Sequence, residues 1–154
     1  MNRLIFLRLG ISALLATAGI IGLFSCQAGF AATGFAGPVE ARVLSVLDGD
    51  TFVAEAHVWP GQFVRINVRI RGVDAPEMKG RCASERRAAR QARDVLSLML
   101  GEDPIVISNI GGAKYYGRVL ADVFTAEGEE VSQVLIEEGL ARPYSGGKRE
   151  SWCG

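Results

Sequence analysis

Charge of neither sign prevails in this chain: 17 Lys and Arg stand against 17 Asp and Glu across 154 residues. Coating a polyanion by bulk electrostatics is thereby excluded, and any polyanion has to be met by a local cluster of Arg. Histidine occurs once, as His57, and none of the three cysteines has a His or Cys neighbour, which speaks against a zinc centre. No apolar run reaches the roughly 20 residues that a membrane-spanning helix needs. The 19 glycines follow no three-residue period, no apolar heptad is sustained, and no repeat or low-complexity tract is visible. Collagen-like, coiled-coil and repeat architectures therefore fall away. What is there is 49% hydrophobic and 22% charged, the profile of a globular domain and not of a disordered chain. The length leaves room for one domain.

The first 36 residues differ from the rest. Arg3 and Arg8 precede an uncharged stretch at residues 9–24, LGISALLATAGIIGLF, and small residues follow at Ala28, Ala31, Ala32 and Ala36. Sixteen apolar or small residues suit the core of a signal peptide. An uncleaved anchor and a lipoprotein site at Leu23-Phe24-Ser25-Cys26 are the alternatives, and a buried core helix is a third. The expected organisation is residues 1–36 as signal peptide or membrane anchor and 37–154 as one domain. That domain is expected outside the cytoplasm, periplasmic or secreted, and anchored if the segment is retained or lipidated. Cys82 and Cys153 then form an even pair in an oxidising compartment, where a disulfide is the expectation and two unpaired thiols the alternative.

Within residues 37–154, Glu40–Leu47 and Thr51–Val58 read as strands around the Asp48-Gly49-Asp50 turn. Phe63–Val73 alternates over a long run, with Val64, Ile66, Val68 and Ile70 on one face and Arg65, Asn67, Arg69 and Arg71 on the other. Ala83–Leu100 carries Ala88, Ala89, Ala92, Val95, Leu96 and Met99 on one helical stripe. Ser84 is expected to cap its start and Gly101 its end. Ile105–Ser108 reads as a short strand, Gly111-Gly112 as a break, Arg118–Phe124 as another strand and Val131–Glu138 as a short helix. Five strands with added helices predict a mainly β, α+β domain of the OB-fold five-stranded barrel type. A flat α+β sandwich is the alternative.

Four pieces of this pattern carry chemistry. Asp48-Gly49-Asp50-Thr51 is ordinary turn chemistry by itself. Asp74-Ala75-Pro76-Glu77, directly after the third strand, is by itself a solvated loop. Together they offer hard oxygens from two loops, the donor type that Ca²⁺ takes in sets of about 6–8. Arg69 on the polar face of the third strand and Arg118 after Lys114-Tyr115-Tyr116-Gly117 add guanidinium forks, which bind phosphate oxygens bidentately. Two Arg and a hard cation can share the charge that develops in an in-line displacement at phosphorus. His57 lies in a hairpin without a partner and reads as structural.

VLDGDT (46–51), RIRGVDAPE (69–77), YYGR (115–118) and EEGLARPY (137–144), in that order and spacing, resemble the staphylococcal nuclease (thermonuclease) family. The likeness runs from about residue 40 to 145. It implies an OB-fold, Ca²⁺ dependence and hydrolysis of DNA and RNA phosphodiesters. It further implies that Asp50 and Asp74 ligate calcium by side chain and Ala75 by its carbonyl. Glu77 would act on the attacking water, and Arg69 and Arg118 would hold the scissile phosphate. Tyr116 would line the nucleotide pocket, with Tyr144 the candidate for a second tyrosine there. Between Tyr144 and Gly154 neither the type member's further helix nor its Lys-rich tail can be read. The expectation is a monomeric, exported nuclease that meets a membrane only through its first segment. A non-catalytic OB-fold nucleic-acid-binding module of the envelope is the competing reading, and a Ca²⁺-stabilised structural domain is a third.

Overall fold

The structure is a computed structural model that describes residues 34–114 and 117–153. Residues 1–33, all but the last three of the 36 read as signal or anchor, and Tyr115 and Tyr116 of YYGR lie outside the described residues.

Three antiparallel strands follow one another: β1 (Val39–Asp48), β2 (Thr51–Trp59) and β3 (Gln62–Ile70). The β-branched and apolar alternation that predicts them also sets their register, because a one-residue slip would turn Val68 and Ile70 out of the core. Shifts in the β1–β2 register at Val43/Ser45 and Val46/Asp48 bend β1, as bulges do. After the helix α1 (Ala83–Leu100) come β5 (Ile105–Gly112) and β6 (Arg118–Phe124), with the two-residue β4 (Val73–Asp74) preceding the helix. The helix α2 (Val131–Glu137) and the two-residue β7 (Arg142–Pro143) complete the order. Five strands close into a barrel in the order β1-β2-β3-β6-β5, β3 and β6 being parallel and β1 pairing back with β5. This is the expected OB-type barrel, and closure leaves no place for a flat sandwich.

Phe52, Val68, Ile70, Ile105, Ile107 and Val123 fill the barrel. From α1, Ala89, Ala92, Leu96 and Leu100 are buried at successive steps of three and four residues. Val95 and Met99 flank that stripe and pack against the same core. Burying one such leucine contributes roughly 1.5–3 kcal/mol. Gly101 ends the helix with φ 54, as expected.

Four local expectations are corrected. The third strand does not run to Val73: it stops at Ile70, and a turn through Gly72 at φ 81 leads into β4, which pairs with β7 instead. Val64 is not inward but 45% exposed, because the β2–β3 hairpin projects beyond the barrel, its His57 ring stacked 4.8 Å from that of Phe63. Gly111-Gly112 is no break: it continues β5, paired with Leu120 and Val119, past an irregularity where Asn109 takes φ 52. Arg71 steadies that bend by donating to the carbonyls of Asn109 and Leu120 and pairing with Asp122. Cys82, not Ser84, caps α1: its sulfur accepts from the Glu85 N–H at 3.4 Å.

Candidate active site

Three chain segments far apart in sequence meet at one end of the barrel. The first is the β1–β2 turn. Its Asp48 carboxylate accepts from the Asp50 N–H at 3.2 Å, the local bond that favours Asp at such a turn. Gly49 matters for a different reason. A Cβ there would lie 2.6 Å from Cβ of Ala92 on α1 and 2.8 Å from Cβ of Ala75, so only a bare backbone lets the turn press against both. That close approach brings Asp50 to the second segment, the loop that starts at β4.

The Asp50 side chain is 3% exposed. Its Oδ1 accepts from Thr51 Oγ1 at 2.8 Å and from Arg69 Nη1 at 2.6 Å, and its Oδ2 accepts from the Ala75 N–H at 3.2 Å. Burial pushes the Asp50 carboxyl up from 3.8 to about 7; the Arg69 guanidinium opposes the rise and Asp48 adds to it. Arg69 does not face open solvent. Its side chain is 16% exposed, donates to the Val73 carbonyl at 3.3 Å and lies 3.7 Å from Asp74 Oδ1. Register explains its place: Arg69 pairs with Thr51 across β2–β3, next to Asp50 in the chain. Arg118 opens β6 opposite Asn67, so it shares a sheet face with Asn67 and Arg69.

Asp74 is buried, and Glu77, at 48% exposure, stands at the rim. Both acids, with Ala75, line an open cleft of about 910 Å³ whose opposite wall is Lys148, Arg149 and Trp152. That wall is the third segment, a strap from Tyr144 to Cys153 with no regular structure. Its Arg149 reaches into the acids. Nε lies 2.5 Å from Asp74 Oδ1, Nη2 lies 3.9 Å from Asp50 Oδ2, and Nη1 donates to Glu77 Oε1. Burial works against the guanidinium's charge, but the Glu77 hydrogen bond and the charges of Asp74, Glu77 and Asp50 outweigh it and raise its pKa. Trp152 Nε1 donates to Asp74 Oδ2 at 3.4 Å, and the Arg142 guanidinium lies 3.8 Å from the Trp152 ring centroid. A Cys82–Cys153 disulfide, with Cα atoms 6.0 Å apart, ties the strap to the start of α1.

The structure thus brings together Asp50, Arg69, Asp74, Ala75 and Glu77, with Arg118 on the adjoining sheet face. Tyr144 lies apart from them on the strap side. Its N–H donates to the Gly72 carbonyl at 2.8 Å, its hydroxyl donates to the Gly147 carbonyl at 2.8 Å, and it lines a smaller recess with Asp74 and Arg142. Tyr116 falls outside the described residues. Sequence reasoning missed Arg149. The available signal was its position four residues before Cys153: if that cysteine bonds Cys82, five residues after Glu77, a cation in between is carried to the acids.

The family model described as staphylococcal nuclease homologue matches residues 67–151, which hold Arg69, Asp74, Glu77, Arg118 and Arg149. The chain belongs to this family. Membership places it among nuclease-related domains whose chemistry depends on a metal ion. It is 30% identical over 127 residues to the succinoglycan biosynthesis protein ExoI of Rhizobium meliloti (strain 1021), covering 76% of this chain and 66% of that protein. It is 26% identical over 107 residues to an uncharacterized endonuclease of Escherichia coli, covering 69% of this chain and 61% of that protein. The chain therefore spans about two thirds or less of the length of these relatives.

Proposed function

We propose that this chain is an exported, calcium-dependent nuclease that hydrolyses phosphodiester bonds of DNA and RNA. The observation that carries the reading is that Asp50, from the β1–β2 turn, and Asp74 and Glu77, from the loop at β4, come together beside Arg69, all three carboxylates meeting the Arg149 guanidinium. The donor set fits a hard cation: carboxylate oxygens and the Ala75 carbonyl, with no soft sulfur or imidazole among them. The pocket also calls for positive charge, since Asp50 ionises only with difficulty there and the buried Asp74 Oδ1 is met by an ion pair without a hydrogen bond. Asp50, Asp74 and the Ala75 carbonyl would hold the ion. When bound, it would supply Lewis-acid stabilisation of a phosphate oxygen and lower the pKa of water.

The protein's own groups do the rest. Glu77, at the rim, accepts the proton of the attacking water, as a positioned carboxylate can. Arg69 keeps Asp50 in place, and with Arg118 it offers guanidinium charge to a phosphate laid across that sheet face. The uncharged stretch at residues 9–24 behind Arg3 and Arg8 supports export, leaving the domain periplasmic, secreted or anchored. The name of the Escherichia coli relative supports endonucleolytic cleavage.

The test is incubation of the full chain with plasmid, single-stranded DNA and RNA, with Ca²⁺, with Mg²⁺ and then with chelator. Ca²⁺ is expected to support cleavage and Mg²⁺ to support it poorly, because Mg²⁺ demands near-ideal octahedral geometry. Binding without cleavage under every ion would leave a non-catalytic nucleic-acid-binding module in place of the enzyme.

A further inference from the structure

We infer that Arg149 is an internal cation seated among the carboxylates, which has to withdraw before a divalent ion can enter. The inference rests on the metal-binding reading of Asp50 and Asp74 and adds a competitor to it. A calcium ion sits about 2.3–2.6 Å from each ligand oxygen. Arg149 Nε is already 2.5 Å from Asp74 Oδ1, and the rest of its guanidinium reaches Glu77 Oε1 and, at 3.9 Å, Asp50 Oδ2. An ion at ligand distance from Asp74 Oδ1 and Asp50 Oδ2 and this guanidinium therefore claim one volume and one set of lone pairs.

The strap keeps the competitor close. The Cys82–Cys153 bond and the Trp152–Asp74 hydrogen bond hold it on the far side of Arg149. Arg142 clasps it from below, stacking on Trp152 and donating to the Ser151 carbonyl at 3.1 Å. On the near side Gly146 and Gly147, at φ 109 and 94, form a bend where side chains are disfavoured, and the Tyr144 hydroxyl closes that bend onto the Gly147 carbonyl. A tethered group competes intramolecularly, at an effective concentration set by its tether and not by the solution. The Arg149 side chain is 36% exposed and has the cleft beside it, so it can swing out while the anchors stay. Arg149 thereby sets the divalent-ion concentration at which the site loads, and the disulfide sets how strongly it does so.

The experiment is calorimetric titration of the full chain with Ca²⁺ for the wild type, for Arg149→Gln, and for the wild type with the disulfide reduced. If the guanidinium is docked in nine molecules of ten, apparent affinity is lowered about tenfold, by the fraction left open. Arg149→Gln is therefore expected to bind Ca²⁺ roughly tenfold tighter or more, and the reduced protein to shift the same way by less. Equal or weaker binding by Arg149→Gln overturns the competition while leaving the metal-site reading intact. No binding by either protein overturns both. A second readout uses the wild type alone, in case the variant does not fold. Phenylglyoxal modification of Arg149, read by mass spectrometry, is expected to speed up when Ca²⁺ is added. A purely structural pairing predicts no acceleration, and that result would also reject the inference.

Discussion

The two sides of the acidic pocket are built by different means. On the barrel side, Asp50 closes the turn into β2 and Arg69 sits on the neighbouring strand β3, whose backbone ladder places Arg69 opposite Thr51, and the guanidinium follows from the register. On the strap side, Arg149 belongs to a segment without regular structure, carried there by β7, by one disulfide and by a few side-chain contacts. Both arginines meet the same carboxylates, yet one is part of the sheet and the other hangs from a tether. The difference teaches that a charge can be placed in a site either by cooperative hydrogen bonding, which holds it permanently, or by a local anchor that leaves it free to depart.

Each prediction presses on one side of that contrast. The largest effect falls where the two sides meet, at Glu77. Glu77→Gln keeps size and a hydrogen-bond acceptor but not the base, and is expected to slow turnover by roughly 10²–10⁴-fold. At 48% exposure it should leave the melting temperature nearly unchanged. Steady-state rates beside thermal melts check both halves, and a wild-type rate would take Glu77 out of the reaction. On the barrel side, Arg69→Ala is expected to cost about 10²–10³ in rate as a lost charge donor. It should also destabilise by up to about 3–5 kcal/mol, because it removes the close partner of the buried Asp50. Denaturant unfolding separates the two losses, and Arg69→Lys should restore little because the fork is gone.

On the strap side, Cys153→Ser opens a loop of 71 residues, whose closure entropy predicts a loss of roughly 4 kcal/mol. The far-ultraviolet circular dichroism of the barrel should persist at low temperature; a variant that melts like the wild type would show that the tether adds nothing. A smaller effect tests how the barrel side is assembled. Gly49→Ala drives a methyl group against Ala92 and Ala75, and overpacking of that kind costs roughly 1–3 kcal/mol. It is also expected to weaken Ca²⁺ binding, since it parts Asp50 from Ala75.

The most gradual effect is a slope in pH. Burial raises the Asp50 pKa to about 7 in the folded protein from the 3.8 expected when unfolded. The stability this proton confers is whole below about pH 4 and is lost as pH rises towards 7, because the unfolded chain gives up its proton first. One proton limits the slope to about 1.4 kcal/mol per pH unit. Asp50→Asn should flatten that stretch of the stability curve, and unfolding measured from pH 4 to 8 would reveal a curve that stays steep.

Much of the architecture was readable in one dimension. The alternation of Val68 and Ile70 with Arg69, the Ala-Leu stripe from Ala89 to Leu100 and the glycine at Gly101 specify a strand and a helix by local periodicity and capping, which need no partner to be recognised. The boundaries that went astray were those set by distant contacts. Gly72 turns the chain because β7 waits to pair with β4, and Gly111-Gly112 stays extended because β6 supplies its hydrogen bonds. The motifs around Asp50, Asp74 and Glu77 were legible as short patterns, and so was the parity of Cys82 and Cys153. What those patterns could not convey is that Asp50 is nearly water-free, that Arg69 serves it, or that Arg149 reaches it across 99 residues of chain, from position 149 to position 50. Periodicity, turns and caps act over a few residues, so the order of residues by itself determines them. Burial, ion pairing and the seating of a tethered side chain depend on which surfaces close over one another, and only the folded barrel with its strap decides that.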